Sequence, residues 1–124
     1  MSGVSAIEDS ARLAIVEQSG IVVVTLIEGL ARAELLRSRL TRQEVHRQLT
    51  RLADGADGLS FRIRAAMPEI DWDGWRWMRA QLKSQAGTAM DDALWFACES
   101  LVPAPLLWLR VHRQSQGALF QMAP

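Results

Sequence analysis

Apolar residues recur along the chain at intervals of three and four, which is the spacing of one face of an α-helix. The first series runs from Ile15 to Leu30, and its second half, GIVVVTLI, also has the β-branched composition of a buried strand. We interpret it as a helix, because no second strand-like run is present to pair with it and an unpaired strand leaves its backbone groups unsatisfied. The spacing predicts a core face made of Ile15, Val22, Val23, Leu26 and Leu30.

A second series has the clearest helix start in the sequence. TRQE, from Thr41 to Glu44, has the composition of a capping box, in which the threonine hydroxyl and the glutamate carboxylate each accept a free backbone N–H. The downstream apolar residues share one helical face: Val45, Leu49, Leu52, Ala53, Ala56 and Leu59. The next segment, SFRIRAAMPEI, predicts a turn or partial helix ended by Pro68, because the residue before a proline is pushed out of the α region.

Two further helices and a short last one complete the pattern. Asp71 or Asp73 can cap a helix that ends at Gly87, with Trp75, Met78 and Leu82 on its inner face. Another helix starts at Thr88 and stops at Pro103, with Met90, Leu94, Ala97, Cys98 and Leu101 on one side, and Pro105 fits the first turn of the last helix.

These elements predict an all-α, up-and-down four-helix bundle with a short additional C-terminal helix. With 124 residues, of which 49% are hydrophobic, the chain can bury a core as a single domain over residues 1–124. We expect frayed ends at about residues 1–10 and 114–124, where no strong pattern is present.

The charge pattern limits how the protein could bind nucleic acid. The formal net charge is zero, so binding would depend on a local patch. Six arginines lie close together in the sequence: Arg32, Arg37, Arg39, Arg42, Arg47 and Arg51. This cluster indicates either a solvated face or a surface for an anionic partner, which could be RNA or an acidic protein.

Residue types that carry catalysis or bind metal are sparse. His46 and His112 lie on different predicted helices without the spacing of a metal site. Cys98 stands alone in an apolar stretch, which indicates a buried thiol. No segment reaches the roughly 18 apolar residues that cross a bilayer. We therefore expect a cytoplasmic protein with no metal, cofactor or membrane association.

Four of the five tryptophans lie between Pro68 and Trp95. On one helix, Trp75 and Trp77 are about 200° apart, so at least one of them faces away from the core. Large aromatic side chains that face outward are typical of binding interfaces. We expect Trp75 and Trp77 to contribute to a contact with a second copy or with another protein.

Several segments occur in an order that is also found in a known family. They are TRQEVHRQLTRLADGADGLS, MPEIDW, MRAQL and a Thr-Ala-Met-Asp-Asp helix start that leads to LVPAPLLWLR. Over about residues 12–113 the chain resembles the HepT-like family of HEPN-domain proteins. The resemblance implies an all-α up-and-down bundle that forms a two-fold dimer. It also implies a metal-independent ribonuclease toxin whose antitoxin partner is a small nucleotidyltransferase.

The active site of that family is an Arg-x(4–6)-His-x-Tyr motif at the dimer cleft. Its arginine holds the phosphate, its histidine transfers the proton, and its tyrosine receives the nucleotide that silences the toxin. Here Arg79 matches the arginine, Ser84 stands at the histidine position and Ala86 at the tyrosine position, and the chain has no tyrosine. Because serine cannot act as an acid or base near neutral pH, the loss is expected to cost about 10² to 10⁴ in rate.

Three functions remain open from the sequence. The first is an inactive dimeric scaffold that binds a nucleotidyltransferase-like partner through Arg42, Arg47, Arg51, Lys83, Trp75 and Trp77. The second is an active ribonuclease in which His46 or His112 replaces the missing histidine. The third is an RNA- or nucleotide-binding module without turnover, which would use the arginine cluster. The sequence shows no histidine, cysteine or carboxylate beside Arg79, and we expect none there unless the second function holds.

Overall fold

The computed structural model describes residues 3–115, with side chains from residue 6 onward. Every regular element in that range is helical: α1 (Gly3–Ile27), α2 (Arg32–Arg37), α3 (Arg39–Asp57), α4 (Phe61–Ala66), α5 (Trp72–Ser84), α6 (Gly87–Phe96), a π-helical turn (Ala97–Leu101) and α7 (Pro103–Ser115). The prediction of an all-α helical bundle is confirmed. The short helix α2 and the π-helical turn have no counterpart in the sequence prediction.

Helix α3 is the central element of the bundle, because both α1 and α5 pack along it. Gly55 allows α1 to come close, since a Cβ at this position would lie 3.3 Å from Val16 Cγ2. Helix α7 packs on α1, and α6 packs on α5. The core between these helices includes Leu13, Val16, Val45, Leu49, Leu52, Ile63, Met67, Trp75, Met78, Leu94 and Leu109.

The segment GIVVVTLI is helical and belongs to α1, as expected, but α1 buries a different face from the predicted one. Val23 is buried together with Leu13 and Val16, whereas Ile15 is 36% exposed and Val22 is half-buried. The reason is that apolar residues occur on every side of this helix, so their spacing does not single out the core face.

The N-terminal end of α1 is tied to the bundle. Residues 3–10, where we expect fraying, are part of helix α1, which begins at Gly3. Asp9, which is 2% exposed, accepts hydrogen bonds from the Ser60 N–H at 3.0 Å and the Ser60 hydroxyl at 2.7 Å. Residues 114 and 115 are helical, and the rest of the expected C-terminal fraying lies outside the described residues.

The start of α3 differs from the predicted capping box. Ser38 is the N-cap, and its hydroxyl oxygen accepts the N–H of Thr41 at 3.3 Å. Glu44 instead accepts hydrogen bonds from Arg47 and Gln48 on its own helix. The helix therefore starts about one turn earlier than predicted, because Ser38 reaches Thr41 with the same three-residue spacing that a capping box uses.

Other helices begin or end a few residues away from their predicted positions. Helix α5 ends at Ser84 rather than at Gly87, which begins α6 with a positive φ of 58°. Helix α7 begins at Pro103, the residue at which the preceding helix was expected to stop. The partial helix before Pro68 is present as α4, and Cys98 is buried as expected.

Among the described residues, two stretches have the length and mean hydropathy of a membrane-crossing helix, although neither is an unbroken run of apolar residues. They are Ala6–Ile27, with a mean hydropathy of 1.5, and Gly87–Ser115, with a mean hydropathy of 1.2. The second stretch contains the π-helical turn and Pro103, whereas the first is the uninterrupted helix α1. Core helices pass the same test, so these features do not assign a compartment, and the cytoplasmic location stays a prediction.

Candidate functional site

Arg79 lies on α5 and is bound by two carboxylates of α3. Its Nε donates a hydrogen bond to Asp54 Oδ1 at 2.7 Å, and its Nη1 lies 3.7 Å from Asp57 Oδ2. The hydrogen bond to Asp54 raises the pKa of the Arg79 guanidinium. The expectation that Arg79 has no carboxylate beside it is therefore wrong, because both partners come from another helix.

The other two motif positions carry no group that can transfer a proton. The Ser84 hydroxyl donates to the Ala80 carbonyl one turn back, at 2.9 Å, so it is engaged with its own helix. Ala86 is an exposed residue with extended backbone that precedes α6. The structure therefore leaves Arg79 without a general acid or base at these positions.

The two histidines are held in separate places. His46 Nε2 on α3 lies 3.2 Å from the Leu82 carbonyl oxygen of α5. His112 on α7 is 7% exposed, and its Nε2 lies 2.9 Å from Glu69 Oε1. That hydrogen bond lowers the pKa of Glu69. Within residues 3–115, no three His, Cys, Asp or Glu side chains are grouped as a metal ion would require.

The tryptophans of α5 separate into a core residue and a surface residue. Trp75 is 1% exposed and belongs to the core, so its expected role in a binding surface is wrong. Trp77 is 50% exposed, and its ring packs edge-on against Phe96, which is 45% exposed, with the ring centroids 5.8 Å apart. Ala80 and Ser84 follow Trp77 at three and seven residues, so they share its outward face of the helix. We name these four residues the Trp77 surface.

The arginine cluster of α2 and α3 is partly neutralised within the molecule. Arg32 pairs with Asp92, and Arg47 pairs with Glu44, whose pKa falls to about 2 mainly because of that hydrogen bond. Arg42 donates through Nη1 to the Leu36 carbonyl at 2.6 Å. The remaining predicted contact residues, Arg51 and Lys83, are exposed.

Two surface grooves contain residues that could take part in binding. One of about 330 Å³ lies between α3 and α6, where Arg42 and His46 face Met90 and Leu94. A larger one of about 630 Å³ is lined by α4, the loop after it and the start of α5, and includes Phe61. Three carboxylates and two arginines share its lining: Glu69, Asp71, Asp73, Arg64 and Arg76. Sequence reasoning missed this groove, because it forms only where α4, the loop after it and the start of α5 meet in the fold.

The most consequential residues that the sequence prediction missed are Asp54 and Asp57. Asp57 follows Asp54 by three residues, so the two carboxylates lie on one side of α3. This spacing is visible in the sequence. Only the packing of α5 beside that side shows that they meet Arg79.

Comparison with known proteins finds no family model, curated protein or solved structure that matches this chain.

Proposed function

We propose that this protein is a catalytically inactive, HepT-like scaffold that binds a nucleotidyltransferase-like partner. The observation that supports it is the set of contacts around Arg79. The one motif residue that this chain keeps is bound by Asp54 and Asp57, and the two motif positions after it hold Ser84 and Ala86. Proton transfer and phosphate binding are therefore both impaired at the same place.

The electrostatics of this contact disfavour an RNA phosphate. Two carboxylates within 4.0 Å of one guanidinium leave a net negative charge beside Arg79. A phosphodiester would have to displace Asp54 from its hydrogen bond while being repelled by both carboxylates. At about 4 Å, one such repulsion amounts to roughly 1 kcal/mol in water and more near a protein surface. Arg79 thus serves to join α5 to α3.

The Trp77 surface is the part of α5 that remains open for binding. An aromatic pair that is half-exposed, with the small residues Ala80 and Ser84 beside it, offers an apolar area that a partner can cover. Tryptophan is among the residues that contribute most to protein interfaces. Ser84, which stands where the resembling family has its histidine, belongs to the Trp77 surface. Because the catalytic histidine is missing there, this surface can serve as a contact for a partner protein.

A nuclease assay tests the loss of activity. Purified protein at micromolar concentration is incubated with tRNA and with end-labelled single-stranded RNA, with a known ribonuclease as positive control. We expect no cleavage by the wild type or by Arg79→Ala. Cleavage by the wild type that disappears in Arg79→Ala would overturn the proposal.

A co-purification assay tests the partner. Wild type, Trp77→Ala and Phe61→Ala are tagged and isolated from the native host. We expect a nucleotidyltransferase-like protein with the wild type and with Phe61→Ala, and its loss with Trp77→Ala. Phe61 is the matched control because it is an exposed aromatic residue outside the Trp77 surface, at 79% exposure. Absence of such a protein from all three samples would count against the scaffold.

One observation favours a second candidate, an active ribonuclease that uses a displaced histidine. His46 shares the groove between α3 and α6 with Arg42, so an imidazole and a guanidinium face one cavity. His112 does not have this arrangement, because Glu69 holds it. The same nuclease assay separates the two candidates: cleavage that persists in Arg79→Ala and vanishes in His46→Ala would support this one.

A further inference from the structure

The larger of the two grooves, which the proposed function does not use, is lined by α4, the loop after it and the start of α5. Its volume of about 630 Å³ lies within the range of roughly 300–1,000 Å³ that is typical of small-molecule sites. Phe61 belongs to its lining and is 79% exposed, so we name it the Phe61 groove. The charged side chains of its lining are Arg64, Glu69, Asp71, Asp73 and Arg76.

The opposite charges of the Phe61 groove do not neutralise one another. Three carboxylates and two guanidinium groups share its lining, yet no two of these described side chains form an ion pair. Among residues 6–115 the guanidinium groups of Arg64 and Arg76 have no other partner, and Arg64 Nε is buried without one. Elsewhere in the bundle, carboxylates bind Arg32, Arg47 and Arg79. Guanidinium groups with unused N–H donors are suited to hold the carboxylate of a ligand.

Of the three carboxylates in the groove, only that of Asp73 has no partner among the described residues. Glu69 is hydrogen-bonded to His112, and Asp71 Oδ1 caps α5 by accepting a backbone N–H at 2.8 Å. Asp73 precedes Arg76 by three residues, so the two side chains are neighbours on one side of α5. A free anion and a free cation at neighbouring positions can bind the ammonium and the carboxylate that an α-amino acid carries on one carbon atom.

The rest of the lining is largely apolar and is held in place by hydrogen bonds. The Trp72 indole N–H donates to the carbonyl oxygens of Arg64 and Met67, at 3.1 and 3.0 Å, so the polar atom of this ring is engaged. These bonds fix the end of α4 beside the start of α5, and a preformed site costs less to occupy. The exposed ring of Phe61 and the neighbouring Pro68 offer a surface that an apolar side chain of a ligand can cover.

We propose that the Phe61 groove binds a free α-amino acid with an apolar side chain. Arg64 and Arg76 donate to its carboxylate, and Asp73 accepts from its ammonium group. The ring of Phe61 packs on its side chain. A free amino acid fits better than the end of a peptide, because a peptide terminus carries only one of the two charges. It also fits better than a phosphate ester, because the groove has one carboxylate more than it has arginines and repels a dianion.

This inference goes beyond the proposed function and does not depend on it. Arg76 and Trp77 are consecutive on α5 and therefore point about 100° apart, so the groove and the Trp77 surface are separate. Amino-acid binding is measured on the isolated protein, whereas co-purification measures a partner protein. Phe61→Ala should keep the partner and weaken the amino acid, and Trp77→Ala should do the reverse, so either proposal can fail alone.

A ¹H–¹⁵N chemical-shift titration of the full-length protein is the first test, because it measures weak binding and shows where the ligand lies. The probes are L-phenylalanine, 3-phenylpropionate, which lacks the ammonium group, and phenethylamine, which lacks the carboxylate. We expect L-phenylalanine to bind with a dissociation constant of about 1 mM or lower and to shift the backbone amides at the start of α5. Each of the other two probes should bind at least about 10-fold more weakly, because it loses a hydrogen bond between charged groups.

Substitutions in the groove should separate the two charges of the ligand. Arg76→Ala should weaken L-phenylalanine and 3-phenylpropionate by about 10-fold and leave phenethylamine unchanged. Asp73→Asn should weaken L-phenylalanine and phenethylamine by a similar factor and leave 3-phenylpropionate unchanged. The matched control is Lys83→Ala, which removes an exposed cation from the same side of α5 two turns further on. It should leave the binding of all three probes unchanged.

Three results would overturn the inference. The first is the absence of chemical-shift changes with L-phenylalanine up to about 10 mM, well above the expected dissociation constant. The second is equal affinity for L-phenylalanine and either of the probes that carry one charge, which would show that one of the two charges is not recognised. The third is a set of shifts confined to the surroundings of Met90 and Leu94, which would place the ligand in the groove between α3 and α6.

Discussion

Arg79 Nε and Asp54 Oδ1, on neighbouring helices, lie 2.7 Å apart. The guanidinium also approaches Asp57, so one cation of α5 holds two carboxylates of α3. In a phosphate-binding site, an arginine of this kind needs its N–H groups free to make a bidentate contact. Here Nε is bound to Asp54 and Nη1 lies close to Asp57, so these groups join α5 to α3.

Removal of this arginine should weaken the fold slightly. Arg79→Ala leaves Asp54 and Asp57 without their cation, and the two carboxylates then repel each other. We expect a small decrease in the urea midpoint of unfolding, because exposed ion pairs contribute little. Arg76→Ala is the control, since Arg76 is exposed and has no ion pair among the described residues. Equal decreases in the two variants would contradict a specific role for the contact.

The two central tryptophans of α5 should behave in opposite ways. Trp75 is 1% exposed, so Trp75→Ala leaves a large cavity and should lower the free energy of unfolding by about 3–5 kcal/mol. Trp77 is half-exposed, and Trp77→Ala should cost less than about 1 kcal/mol while weakening partner binding. Urea denaturation followed by circular dichroism measures both values. Similar losses of stability in the two variants would show that Trp77 is a packing residue rather than a contact residue.

Asp9 should be essential for the attachment of the start of α1. Asp9→Ala removes both acceptors of Ser60 and leaves its N–H and hydroxyl poorly satisfied, which should cost about 1–3 kcal/mol. Glu8→Ala, at the preceding and exposed position, should change the stability by no more than about 0.5 kcal/mol. Thermal unfolding gives the comparison, and amide hydrogen exchange should show faster exchange at the start of α1 in Asp9→Ala alone.

Stability should fall at acidic pH partly because of Glu44. Hydrogen bonds from Arg47 and then Gln48 lower its pKa in the folded state from 4.5 to about 2. Its contribution is therefore complete above about pH 4.5 and is lost as the pH falls toward 2. Protonation of Glu69 should also lower the stability at acidic pH, since the hydrogen bond with His112 lowers the pKa of Glu69 in the folded state.

The measurement is the urea midpoint between pH 2 and pH 6 for the wild type and Glu44→Gln. The variant should show a shallower decrease below pH 4.5. Glu99→Gln, at an exposed position, serves as the control and should follow the wild type. A variant curve parallel to that of the wild type would show that the Glu44 contacts do not persist in solution.

The sequence predicted the helices well where polar and apolar residues alternate clearly. Helix α3 buries Val45, Leu49 and Leu52 as expected, because its opposite side is charged. In α1 the face was assigned wrongly, because apolar residues surround the helix and local spacing cannot show which side meets α3. Side-chain burial there depends on the close approach at Gly55, 39 residues beyond Val16, and no local pattern carries that information.

The candidate site was only partly visible for a similar reason. The replacement of the motif's histidine by Ser84 and of its tyrosine by Ala86 could be identified from the sequence alone, since it depends only on residue type. The carboxylates beside Arg79 could not, because Asp54 lies 25 residues earlier and its contact depends on how two helices pack. Trp75 and Trp77 could be separated by helical geometry, and the spacing of Trp75 with Met78 and Leu82 predicted the buried side of α5 correctly.

The bond between Asp9 and Ser60 also has a consequence during translation. Its two residues are 51 positions apart, so α1 leaves the ribosome well before its carboxylate can be satisfied. At about 5–20 residues per second, the interval is roughly 3 to 10 s. During that time the apolar helix α1 has no α3 to cover it. A nascent chain of this protein therefore exposes an apolar helix for several seconds before the segment that covers it has been synthesised.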